Sequence, residues 1–135
     1  MSDVPTLANL NGSDNAEEQE IIGLTSKIIA QAGDHQMIER FKQRLARARA
    51  TADRSGESMA LLVLGVLYNR LAEERRAIGC LELAIAAAHE LGEQRREGQA
   101  QIHLGNTHNQ LGNARGALKC YAQGLAIVRA IGDRL

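Results

Sequence analysis

The sequence predicts an all-α stack of helix pairs, an α-solenoid of about three repeats, and three observations carry that prediction. Apolar residues recur at helical spacing from Glu17 onward, and no segment alternates with the period of two that a half-buried strand requires. The chain repeats itself every 40 residues. "VLGVLYNRLA" at 63–72 returns as "HLGNTHNQLG" at 103–112, with Leu64 over Leu104, Gly65 over Gly105, Asn69 over Asn109 and Leu71 over Leu111. A period of this length indicates stacked units of supersecondary structure rather than a simple bundle. The composition also suits closely packed helices: aromatic residues are only 2% of the 135, and Pro5 is the one proline. The core must therefore be built from Ala, Leu, Ile and Val, which favour or tolerate helices that approach one another closely.

Taken in order, residues 1–16 are rich in Ser, Asp, Asn and Gly and predict a flexible acidic leader. Ile21, Leu24, Ile28 and Ile29 mark a first helix that Ala32-Gly33 should end, because Gly takes a left-handed C-terminal cap without strain. Asp34 can cap a second helix bearing Met37, Ile38, Phe41, Leu45 and Ala48, broken at Ser55-Gly56. Leu61, Leu64, Gly65, Tyr68 and Leu71 form a third. Ala77, Ile78, Leu81, Ala84, Ile85, Ala88 and Leu91 form a fourth, ending at Gly92. Ile102, Leu104, Gly105, His108 and Leu111 form a fifth, ending at Gly112. Asn113 can cap a sixth, with Ala117, Leu118, Tyr121, Leu125, Val128 and Ile131, ending at Gly132.

The repeat extends into the second helix of each pair, where Ala77, Cys80, Ala86 and Gly92 match Ala117, Cys120, Ala126 and Gly132. Three units follow: a degraded pair at 17–56, then repeats at 57–96 and 97–135. Gly65 and Gly105 leave room for the paired helix to press against backbone. Large residues (Tyr68, Leu81, Tyr121) are then expected to fill the space between one pair and the next. Cys80 and Cys120, at equivalent places about 8–10 Å apart, lie beyond the reach of a disulfide and should be free thiols.

Leu61 to Tyr68, read as L-x-x-L-G-x-x-Y and followed by Ala77, Leu81 and Ala84, resembles a tetratricopeptide repeat, as do Leu104-Gly105, Ala117 and Tyr121. The 40-residue form is similar to repeats in Pins-type polarity scaffolds and bacterial signalling ATPases. The resemblance is specific over 57–135 and loose over 17–56. There is no Trp at Leu61 or Gln101, and His108 stands in place of the usual Tyr. It implies a right-handed solenoid whose first helices line a concave face that binds an extended or helical peptide. The positions carried over are Leu62, Val63, Val66, Asn69 and Arg70 from the middle repeat. From the last they are Ile102, His103, Asn106, Asn109 and Gln110. Asn and Gln present donors and acceptors suited to a peptide backbone, and Arg70 suits a carboxylate.

Other chemistry is poorly supported. His103 and His108, five apart, do not share a helix face as metal ligands spaced by four do, and His35 and His89 have no neighbour at metal spacing. No phosphate-binding glycine loop or nucleophile motif is present, so neither an enzyme, a metal nor a cofactor is expected. Net charge is zero, but residues 1–20 hold five acids and no base, leaving 16 basic against 11 acidic residues in the rest. Arg40, Lys42, Arg44, Arg47, Arg49 and Arg54 are read as a solvated face, since no aromatics interleave them to stack on nucleic acid. No apolar run reaches the roughly 20 residues of a membrane span, and the polar, acidic N-terminus is unlike a secretory signal, which points to the cytoplasm. The chain stops where a further repeat would begin. Leu118, Tyr121, Leu125 and Val128 should therefore meet water and support self-association, most simply as a homodimer, unless a partner or a longer array supplies the missing helix.

Overall fold

The computed structural model describes residues 13–132, which form five α-helices and no strand: α1 (Ser13–Ala50), α2 (Arg54–Arg70), α3 (Glu74–Leu91), α4 (Gln94–Gln110) and α5 (Ala114–Gly132). The chain divides into two compact units, residues 1–35 and residues 36–135, with the boundary inside α1. In the first unit α1 is exposed throughout residues 15–33. Most of the expected leader lies outside the described residues, and its last four belong to α1.

The helix break expected at Gly33 is absent, so the pair expected over 17–56 is one helix of 38 residues followed by the start of α2. A glycine inside a helix costs only about 1 kcal/mol relative to Ala, and Ala30, Gln31 and Ala32 before it and Gln36 and Met37 after it are good or fair helix formers. Gly33 is not among the residues of positive φ. A glycine permits a left-handed cap, but packing of the next helix is what enforces one.

In the second unit consecutive helices pack side by side, α2 on α3, α3 on α4 and α4 on α5, with a lighter contact of α2 with α4. Ile38, Phe41 and Leu45 of α1 pack against Leu64, Leu67 and Tyr68 of α2. A second cluster joins Leu61, Leu62, Leu81, Ala84, Ala100, Leu104 and Cys120 across α2 to α5.

The joints repeat at half the sequence period. Ala52, Ala72, Gly92 and Gly112 all take positive φ, at 58°, 58°, 69° and 78°. After each, the N–H of residue 53, 73, 93 or 113 donates to the carbonyl five residues back, on Ala48, Tyr68, Ala88 or His108, at 2.8–2.9 Å. This is the 6→1 bond of a Schellman cap. Asp53 and Asn113 then cap the following helices, accepting from the N–H of Gly56 (2.9 Å) and Gly116 (3.0 Å). An L-residue in the left-handed region is strained by about 1–2 kcal/mol. Part of that is offset in Gly by the looser unfolded chain. Ala72→Gly is accordingly expected to stabilise the protein by about 0.5–1 kcal/mol, read as a higher urea midpoint. A lower midpoint would contradict the joint geometry.

The pairs close on glycine. A Cβ on Gly65 would lie 2.5 Å from Leu81 Cγ, and one on Gly105 would lie 2.7 Å from the Tyr121 ring. Leu81 and Tyr121 therefore fill space inside their own pairs, α2/α3 and α4/α5, and Leu81 also belongs to the cluster that reaches Ala100 and Leu104 of the next pair.

Candidate functional site

The faces of α2 and α4 expected to meet a peptide share one sequence pattern but differ in what covers them. Leu62 is 8% exposed, and its equivalent Ile102 is 37% exposed. Leu62 belongs to the core cluster and is not available to a ligand, contrary to expectation. Val66 is half-buried against the same cluster. The cause is the packing of α4: Thr107, fully buried, reaches Asn69 across the junction, with its hydroxyl 3.0 Å from Asn69 Oδ1 and 3.1 Å from the His103 carbonyl. One hydroxyl proton cannot fully serve both acceptors. Turning the Asn69 amide over lets its Nδ2 donate to Thr107, whose own proton then goes to His103. Either way Asn69 is committed to holding α2 against α4.

Asn106 is committed too, because its Oδ1 accepts from the Tyr121 hydroxyl at 2.5 Å. Ile102 also leans toward α5, since a Cβ on Gly124 would lie 2.9 Å from Ile102 Cγ1. The expected residues that remain accessible are Arg70 at the end of α2, with Ile102, Asn109 and Gln110 on α4, all exposed, and half-buried His103. Burial pushes the His103 imidazole below its ordinary pKa, so it is neutral at pH 7 and offers one donor and one acceptor. The accessible strip therefore carries two amides, a neutral imidazole, a guanidinium and one isoleucine. Its exposed chemistry is that of hydrogen-bonding groups with a modest apolar contribution.

Thr107 is the residue sequence reasoning missed here, and Tyr121, named for the α5 surface, instead holds Asn106. Thr107 stands 40 after Leu67, and a hydroxyl at a position whose copy is a core leucine signals a polar contact inside the packing.

On α5, Leu118, Leu125 and Val128 are exposed, Leu118 at 69%. Tyr121 is not part of that surface. It is half-buried, with its ring on Gly105 and its hydroxyl on Asn106.

Recesses lie elsewhere among the described residues of this unit too, and two of them have partly apolar linings. One, of about 290 Å³, has Phe41, Ala48, Met59 and Ala60 as its apolar part and Arg44, Arg47 and Asp53 at its rim. The other, of about 310 Å³, runs between α3, α4 and α5 past Ile85, Leu104, His108 and Lys119. Among the described residues no group of three His, Cys, Asp or Glu side chains converges as metal ligands would, and no helix is long and apolar enough to cross a membrane. Cys80 and Cys120 form no disulfide, and burial pushes both thiols above their ordinary pKa. No family model matches the chain, and no characterised protein does so either.

Proposed function

We propose that the chain is a non-enzymatic protein-interaction module, a right-handed α-solenoid of the tetratricopeptide kind, that captures an extended or helical peptide of a partner protein. The observation that carries this reading is the uneven covering of the two copies. Packing of α4 covers Leu62 of α2, whereas Ile102, Asn109 and Gln110 of α4 are exposed and His103 is half-buried. Amide side chains held on a rigid helix satisfy the backbone donors and acceptors of a bound segment, and rigidity limits the entropy lost on binding.

Panning the intact chain against a library of displayed random peptides tests the reading. It is expected to enrich sequences sharing one motif, and Asn109→Ala with Gln110→Ala should weaken the best of them about tenfold, or about 1.4 kcal/mol. Both side chains are exposed, so the fold should survive. Unchanged binding by that variant, with binding lost in Arg44→Ala with Arg47→Ala, would move the site to the recess beside Phe41.

The exposed Leu118, Leu125 and Val128 favour a second reading, self-association through α5. It requires a mass above that of one chain in sedimentation equilibrium, and Leu118→Glu with Leu125→Glu should lower it.

A further inference from the structure

The first half of α1 carries a feature that peptide capture does not use. Ile21, Ile22, Leu24, Ile28 and Ile29 are 50–66% exposed. At 100° per residue they share an arc of about 160° with Thr25 and Ala32. Nothing within residues 15–33 buries them. We propose that this face is an interface with a second copy of the chain, the two segments running antiparallel about a two-fold axis at Thr25.

The segment reads "IIGLTSKII", residues 21–29, and its apolar ends mirror each other about Thr25: Ile21 with Ile29, and Ile22 with Ile28. A two-fold interface requires that residue i of one copy meet j of the other while j meets i. An antiparallel pair centred on Thr25 does this with isoleucine on isoleucine at four places. Thr25 itself lies in the middle of the arc. Its hydroxyl already donates to the Ile21 carbonyl at 2.8 Å, so the axis buries no unmet donor.

Charge selects the antiparallel sense. Glu17, Glu18 and Glu20 precede the apolar run, and Lys27 is the one base among residues 15–33. Parallel pairing would gather six carboxylates at one end. Antiparallel pairing centred on Thr25 places the three acids opposite Gly33, Ala32 and Ala30. The same acids disfavour an anionic lipid surface as the occupant, since interfacial helices carry Lys and Arg beside the apolar face. Five large side chains from each of two copies bring the buried area to the order of the roughly 1,000 Å² that a specific interface needs.

Cysteine trapping of the full chain tests the register, with wild type as the control for Cys80 and Cys120. Thr25→Cys is expected to form a disulfide-linked dimer on mild oxidation. Ile29→Cys alone should not, because its two copies would be offset by about 12 Å along the helix, beyond the roughly 7 Å reach of a disulfide. Ile21→Cys mixed with Ile29→Cys should form the mixed dimer. Ile22→Glu with Ile28→Glu, on exposed positions that leave the helical circular dichroism unchanged, should halve the mass found by sedimentation equilibrium. Trapping of Ile29→Cys as readily as Thr25→Cys would overturn the antiparallel register. A wild-type chain that sediments as one copy at high micromolar concentration, or a mass unmoved by the double glutamate variant, would overturn the interface. These outcomes are independent of whether α4 binds a peptide.

Discussion

Leu81→Ala is expected to lower the unfolding free energy by about 3–4 kcal/mol, within the range for emptying a fully buried leucine site. Leu81 is 0% exposed and sits where α3 meets α2. Its immediate neighbour on α2 is Gly65, whose missing side chain is what the leucine replaces. A glycine has nothing to swing into the vacated volume, Ala84 and Ala100 of the same cluster are short, and its leucines Leu61, Leu62 and Leu104 are themselves buried by other contacts. With glycine and alanine on one side and leucines already packed on the other, the hole closes only partly, and the cost falls in the upper part of the range. Small domains are stable by about 5–15 kcal/mol, so the variant should lose a large share of its folded population on warming. Urea unfolding followed by circular dichroism reads the effect. Leu83→Ala, at an exposed site two residues away, should change stability by less than about 0.5 kcal/mol. Equal effects at the two positions would contradict the packing of α3 on α2.

Gly105→Val makes the complementary error, adding volume where none exists, and should cost about 3 kcal/mol. Its Cβ would lie 2.7 Å from the Tyr121 ring and 3.2 Å from the Ala117 carbonyl. The carbonyl belongs to helix backbone and cannot yield. The ring cannot swing away without losing its hydrogen bond to Asn106. Removing the obstacle should recover part of the loss, so Gly105→Val with Tyr121→Ala should be more stable than the sum of the two single changes. Gly79→Ala provides the contrast. A Cβ there meets nothing within 4 Å, and helix propensity should make the variant more stable by up to about 1 kcal/mol. Strict additivity at Gly105 and Tyr121 would show that the two helices do not close there.

The periodic part of this architecture was legible because the same local chemistry recurs. Gly92 and Gly112 announce their left-handed caps, Asn113 its N-cap, and Gly65 and Gly105 the close approach of the next helix. Ala52 and Ala72 take the same strained geometry without a glycine to signal it, and only their places 40 residues before Gly92 and Gly112 reveal them. Gly33 misleads for the opposite reason, since a glycine permits a cap but does not impose one. On α2 and α4, sequence spacing located the helices but not the covering. Leu62 and Ile102 hold the same repeat position, and they differ because α4 packs beside α2. Asn69 and Asn106 read as ligand-binding amides, yet each is spent on a neighbour, Thr107 or Tyr121. Which polar residues are already engaged is a property of the assembled helices.

The central proposal, capture of a peptide on the accessible face of α4, is tested most directly by amide chemical-shift mapping. The ¹⁵N-labelled chain is titrated with the best peptide from panning. The largest saturating shifts are predicted at Arg70, His103, Asn109 and Gln110. Shifts concentrated at Arg44, Arg47 and Met59, with those four residues unmoved, would contradict it.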